Sequence, residues 1–384
     1  MACYNTRMGT HPDVLIVGGG VIGLTTAYYL AREGVSVCLL DRSAPGTEAS
    51  WAGAGIVPPG NPQGAVSAYD RLRALSSEAF PALSADLRER TGIDNGYRRC
   101  GGIEVFESEA DATTRLWQTE GIESQPLSDA ATQELEPFVR ITSGSAYFLP
   151  GMSQVRNPRH LRALIAACKS VRVHIEPNVS VVRWRTSGGS IHAAVAENGT
   201  VYRAGKFLVA SGAWSERLLA PLGFRPGVHP VRGQMVLFHS PAALLRRVIG
   251  FGKRYLVPRE DGRVLVGSTE EPEAGFEKKT TDAGVTGLRR FAEEVVPGLA
   301  DAPVEKSWAG LRPGTPDGLP FLGPLPGWDN AWVATGHYRA GIQLSPATAR
   351  IMTHILTGQP ASPEIDAFRV DRQPAQNLLI PFRS

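Results

Sequence analysis

The run Gly18-Gly19-Gly20-Val21-Ile22-Gly23 constrains this chain most, because it lies between an apolar tetrad and a helical pattern leading to Asp41. The tetrad Val14-Leu15-Ile16-Val17 is short, β-branched and bounded by Asp13 and glycine, which predicts a buried parallel strand. A helix is predicted over 24–33, with Ala27, Leu30 and Ala31 at helical spacing; Gly34 stops it and a second strand follows over 35–40. This βαβ unit puts the glycines at the turn into the helix. Gly18 permits the tight turn, Gly20 lets the backbone approach a pyrophosphate, and Gly23 lets helix and strand pack closely. Phosphates would sit on the helix N-terminus, where free N–H groups and the dipole favour negative charge. Asp41 is spaced to accept from a ribose hydroxyl, and its charge would repel a 2′-phosphate. The motif implies a dinucleotide and leaves nicotinamide and flavin both open.

A chain of 384 residues is too long for one small core, so two domains are expected. The formal net charge of +3 is too small to argue for nucleic acid or a membrane surface. Arg246-Arg247 and Lys278-Lys279 read as solvated faces. Cys3, Cys38, Cys100 and Cys168 are scattered without a C-x-x-C pair, which argues against zinc and a disulfide framework and fits a reducing compartment. No metal site is predicted. Residues 1–12 lack a signal-peptide core and read as an N-terminal extension, and no apolar run reaches bilayer length, so a cytoplasmic location is expected.

Glycine-rich text continues at 49–60, which suits either backbone lying against a flat ligand or a flexible surface loop. An amphipathic helix is predicted over 68–90 and a strand of a different sheet over 101–106. A helix over 157–170 carries Pro158 in its first turn, and strands follow over 171–175 and 179–184. The strand 207–210 ends in Ser211-Gly212-Ala213, small residues where open α/β sheets bind ligands. Strands over 234–238, 254–258 and 264–267 suggest a second, largely antiparallel sheet in a substrate domain. The strand 331–334, the turn Thr335-Gly336 and a helix over 345–356 return to the nucleotide domain. The predicted class is α/β, a Rossmann-like domain with a second, largely antiparallel domain. The nucleotide domain is expected over 13–90, 153–226 and 309–372, and the substrate domain over 91–152 and 227–308.

The glycine-turn residues above, together with the blocks Arg254-Tyr255-Leu256-Val257-Pro258-Arg259, 308–318 and 336–342, resemble the flavin-dependent amine oxidases of the D-amino-acid oxidase superfamily, and within it the glycine oxidase branch associated with the thiazole arm of thiamine biosynthesis. The residues that carry the resemblance are Gly18, Gly20, Gly23, Ala27, Leu30, Gly34, Val37 and Asp41, then the blocks 254–259, 308–318 and 336–342, and it extends over residues 13–372. It implies FAD, contacted by Gly18, Gly20, Val21, Ile22, Gly23, Asp41, Arg42, Ala49, Ser50, Ala54, Gly55, Ile56, Val179 and Gly212. His337, Tyr338, Arg339, Ala340, Gly341, Ile342 and Gln343 would lie along the flavin edge; Gln343 is polar where the relatives carry leucine. With no cysteine after Cys168, non-covalent binding is expected.

The resemblance also implies a small amino acid as substrate, with Arg312 clamping its carboxylate, Tyr255 donating a second hydrogen bond and Arg339 nearby. Read without it, an arginine before Pro-Gly is a surface residue, a tyrosine in an apolar strand is core, and His337 is a structural hydrogen-bonding group. The implied reaction is hydride transfer from the α-carbon to the flavin, then imine hydrolysis and peroxide release from oxygen, with no side-chain base. Rival readings are a D-amino-acid oxidase or dehydrogenase, an N-substituted glycine oxidase, a nicotinamide-dependent dehydrogenase and a non-enzymatic flavoprotein. A homo-oligomer, a tetramer in the family pattern, is implied as well.

Overall fold

The computed structural model describes residues 11–107, 110–241, 243–360 and 363–373, so all but the last two residues of the expected extension, and Cys3, lie outside them. The strand Val14–Val17 pairs in parallel with Val37–Leu40 on one side and Lys206–Val209 on the other. The full sheet has six strands in the order Phe321–Pro324, Ala331–Thr335, Lys206–Val209, Val14–Val17, Val37–Leu40, His174–Glu176. All pairs are parallel except the first, which is antiparallel. Alternation sends Val14 and Ile16 to one face, against the helices Val21–Arg32, Asn157–Ser170 and Gly341–Leu356. Leu15 and Val17 face the other side, against Ile191, Ala194 and Tyr202 of a three-stranded antiparallel sheet. Coverage of both faces is why the central strands read as unbroken apolar runs.

The second sheet has eight strands, in the order Val304–Gly314, His229–His239, Arg263–Gly267, Arg254–Pro258, Val248–Phe251, Gly102–Phe106, Ser145–Leu149, Gln125–Leu127. Only the pair Val248–Phe251 with Gly102–Phe106 is parallel. One face packs on the helix Asp282–Val295 through Val236, Phe238, Val264 and Phe291. The other face carries Met235, Tyr255 and Leu265, which cluster with Ala54 and Ile56. The strand Val304–Gly314 pairs with His229–His239 from Val304 to Gly314, so a division at 308/309 would cut it in two.

Other boundaries moved by a few residues. The first helix begins at Val21 rather than 24, directly on the glycine turn. The last begins at Gly341 rather than 345. Pro346 lies inside that helix without breaking it, because the Ser345 hydroxyl donates to the Ile342 carbonyl (2.9 Å), which Pro346 has no N–H to serve. The strands expected over 171–175 and 179–184 are His174–Glu176 and Val181–Ser187.

Across the second sheet Tyr147, Glu104, Gly250 and Tyr255 are successive partners on one face. Gly250 is glycine for space: a Cβ there would lie 2.2 Å from the Glu104 carboxylate. Burial pushes the Glu104 carboxyl up from 4.5 to about 7. The raised value means the folded state holds its proton over a pH range in which the unfolded chain has lost it. Stability on this account is full below pH 4.5 and falls by about 3 kcal/mol as pH rises to about 7. Glu104→Gln should flatten that slope, read as urea midpoints across the same interval; an unchanged slope would remove Glu104 as its source.

Candidate active site

A cavity of about 360 Å³ lies at the C-terminal ends of the parallel strands, with the second sheet closing its far side. Such ends are where open α/β sheets bind ligands. Every residue expected from sequence at the site lines this cavity except Gly23 and Ala340: Gly18, Gly20, Val21, Ile22, Asp41, Arg42, Ala49, Ser50, Ala54, Gly55, Ile56, Val179, Gly212, Tyr255, Arg312, His337, Tyr338, Arg339, Gly341, Ile342 and Gln343. Gly23 instead faces the turn, where a Cβ would fall 1.9 Å from the Gly18 carbonyl oxygen. Ala340 packs against the nucleotide-domain core, and its N–H closes a turn on the His337 carbonyl (3.0 Å).

At one end stand the helix Val21–Arg32 and Asp41. The helix has no acidic residue in its first turn and no side-chain cap at Gly20; its Val21 N–H donates to the Ser50 hydroxyl at 2.9 Å, a neutral partner that leaves the positive end without a counter-charge. The Asp41 carboxylate accepts from the Gly19 N–H (2.6 Å), the Ser43 N–H (2.8 Å) and the Ser43 hydroxyl (3.1 Å). Burial still raises its pKa above the ordinary value, outweighing those bonds. A carboxylate has roughly four acceptor positions, so a further hydroxyl donor fits. Beside it the Arg42 guanidinium lies 3.6 Å over the Trp214 ring and pairs with Glu48 at 3.3 Å. A carboxylate with an acceptor position to spare, next to a helix start that no acid neutralises, suits the ribose and diphosphate of a dinucleotide.

At the other end the strand Val304–Gly314 delivers Arg312, and His229–His239 delivers Gly233 beneath it. The Arg312 guanidinium lies so close on Gly233 that a Cβ there would be 2.1 Å from Nη2. Arg312 donates to the Thr269 carbonyl (3.1 Å) and the Ser268 hydroxyl (2.6 Å), both neutral. Among the described residues no carboxylate forms an ion pair with it. Burial, then the neighbouring Arg339, lowers its pKa from the ordinary value. Arg339 differs, because Glu270 pairs with it at 3.1 Å and with Lys253 at 2.8 Å. Among the described residues the buried Tyr255 hydroxyl meets the Met235 thioether alone, at 3.5 Å, a weak acceptor. A half-buried cation that no carboxylate among the described residues pairs with, next to an underused hydroxyl donor, is a place for a carboxylate.

The segment His337 to Gln343 carries the chain between the two ends. The His337 Nε2 lies 3.1 Å from the Thr348 hydroxyl, and burial pushes the imidazole down to about 3, so it is neutral at physiological pH. Gln343 donates to the Ser77 hydroxyl at 2.9 Å, tying its polar end to the helix Ala68–Thr91. Tyr338 takes a left-handed φ of 47°, with its N–H on the Pro313 carbonyl at 3.1 Å. Burial raises the Tyr338 phenol pKa, as does the adjacent Glu270.

Ser268, Thr269 and Glu270 went unread in the sequence, because they sit past a strand end and match no motif. Gly233 and Met235 also line the cavity; Gly233 had a faint signal, since a glycine at a strand's margin marks close approach of another group. Gly233→Ala should displace the Arg312 guanidinium and weaken binding of a small carboxylate such as acetate at least about tenfold, some 1.4 kcal/mol. Isothermal titration measures this, and unaltered acetate affinity would show that the guanidinium is not the carboxylate partner.

A family model of FAD dependent oxidoreductases matches residues 13–355. A glycine oxidase of Pseudomonas aeruginosa is 38% identical over 90% of this chain and 95% of its own length. A bifunctional protein ThiO/ThiG of Nostoc is 33% identical over 96% of this chain, which spans 56% of that protein. The crystal structure of a glycine oxidase from Geobacillus kaustophilus superposes with a TM-score of 0.90 at 33% identity, covering 95% of this chain and 100% of the other.

Proposed function

Because the chain belongs to the family of FAD dependent oxidoreductases, its dinucleotide is FAD, and we propose that it oxidises glycine and other small primary and secondary amines such as sarcosine and some D-amino acids. The observation that carries this reading is Arg312, a half-buried guanidinium paired with no carboxylate among the described residues. Asp41 would hold the ribose hydroxyl of the cofactor, the start of the helix Val21–Arg32 its diphosphate, and residues 54–56 and 337–343 its ring. When bound, FAD accepts a hydride from the substrate and passes the electrons to oxygen as hydrogen peroxide. No described cysteine lines the cavity, which supports non-covalent attachment.

Arg312 holds both carboxylate oxygens in its planar fork, and Tyr255 turns its hydroxyl from the thioether to the same group. This fixes the α-carbon against the ring, so orientation supplies much of the rate. Arg339, already paired with Glu270, adds positive potential without needing a second anion. No side chain is assigned as base: the neutral amine drives hydride departure, and His337 is tied to Thr348. Water then hydrolyses the imino acid to a 2-oxo acid and ammonia, or an amine from a secondary substrate.

The place in thiamine biosynthesis implied by the resemblance is supported by the likeness to the ThiO/ThiG protein. A homotetramer and a cytoplasmic location complete the proposal. Among the described residues no helix is long and apolar enough to cross a membrane.

Peroxide release across glycine, sarcosine, D-alanine, D-proline and N-alkylglycines tests the substrate class. Preference for D-alanine would make it a D-amino-acid oxidase, and preference for bulky N-substituents an N-substituted glycine oxidase. Arg312→Ala should raise the KM for glycine at least roughly thirtyfold, a loss of about 2 kcal/mol or more, with FAD still bound. Tyr255→Phe should raise it about tenfold, for one hydrogen bond to a charged group. A wild-type KM in the first variant would sink the clamp.

A further inference from the structure

Arg259 follows the strand Arg254–Pro258, which carries Tyr255, and reaches out of the second sheet into the nucleotide domain. Its Nη2 donates to the Ala54 carbonyl at 2.7 Å, and its Nη1 donates to Gln154 Oε1 at 2.7 Å and the Val155 carbonyl at 3.1 Å. All three acceptors are neutral, and among the described residues no carboxylate forms an ion pair with it. Burial, then the Arg156 and Arg98 cations, push it down to about 9, so it keeps its proton at neutral pH. A second half-buried cation thus faces the cavity through one peptide unit.

That unit joins Ala54 to Gly55, both of which line the cavity. Ala54 packs with Met235 and Tyr255, so it stands at the Arg312 end rather than the Asp41 end. The peptide is trans, so its N–H points opposite to its carbonyl. With the carbonyl on Arg259, the Gly55 N–H faces away from the guanidinium, and among the described residues no acceptor takes it. Gly55 is locked in place as well. Its φ is +75°, its carbonyl accepts from the Val155 N–H at 2.8 Å, and a Cβ would lie 2.1 Å from the Val155 carbonyl oxygen.

We infer that Arg259 is a positioning residue for the electron-accepting ring: it fixes and polarises the Ala54–Gly55 peptide, turns the Gly55 N–H toward the bound cofactor, and favours the reduced, more negative form. The inference rests on the proposed FAD chemistry. It differs from a plain interdomain staple, because a staple would hold the domains together without altering the cofactor's preference between redox states.

The test is the midpoint potential and visible spectrum of the bound flavin in purified holoenzyme. Arg259→Gln should weaken binding of the reduced relative to the oxidised flavin about tenfold, a potential lower by about 30 mV for a two-electron couple. Its kcat should fall while the KM for glycine stays within twofold. Arg259→Lys, which keeps the charge but loses the fork, should fall between that variant and wild type. Gln154→Leu, which removes one acceptor and no charge, should lower Tm and leave the potential alone. A wild-type potential in Arg259→Gln, or in Arg259→Lys should the first variant not fold, overturns the inference. A wild-type protein without flavin, or with flavin that glycine does not reduce, would instead overturn the functional reading beneath it.

Discussion

The site depends on a half-buried positive charge that no carboxylate among the described residues pairs with. Among the described residues, Arg312 lies over Gly233 with the Thr269 carbonyl and the Ser268 hydroxyl as the acceptors of its donors, an arrangement that is costly until an anion arrives. Leaving the cation uncompensated turns desolvation into selectivity, because a carboxylate restores what burial took away. The surrounding packing serves this end. Glycine beneath the guanidinium gives it room, and a thioether rather than a carbonyl opposite Tyr255 leaves that hydroxyl ready to turn.

Arg339 shows the contrast. It stands in the same cavity, yet Glu270 takes up its charge and links it to Lys253. One arginine is therefore ready for an anion while its neighbour shapes the potential. The cofactor end follows the same economy with a fixed dipole in place of a charge. The helix Val21–Arg32 keeps acids out of its first turn, and Asp41 spends two acceptor positions on Ser43 of its own loop and one on the Gly19 N–H of the glycine turn, while retaining one. The segment 337–343 joins the two ends, and its polar side chains are committed inward, His337 to Thr348 and Gln343 to Ser77.

Much of the nucleotide half was legible because its signals are local. The strand, glycine turn, helix and Asp41 lie within one continuous stretch, and each obeys a rule of spacing. The second sheet was harder. The strand Val304–Gly314 went unread because Glu305, Lys306, Gly310, Pro313 and Gly314 give it poor strand character. Its long pairing with His229–His239 supplies the order that the residues lack alone, with Pro313 opposite Pro230. The start of the last helix was missed for a related reason, since Pro346 reads as a beginning until the Ser345 hydroxyl is seen serving the orphaned carbonyl.

By itself the sequence determined the strand, glycine turn and helix at the start of the chain, and through the motifs of its far half which family the chain joins. Those properties follow from neighbours along the chain and from short patterns that survive without coordinates. Only the tertiary structure decided the electrostatics of the site. Arg312, Arg339 and Arg259 are alike in the sequence, and what separates them is which carboxylates and carbonyls reach them. Those partners come from distant segments, Glu270 lying 69 residues from Arg339 and Ala54 lying 205 from Arg259. Charge compensation depends on separation in space, and spacing along the chain carries no record of it.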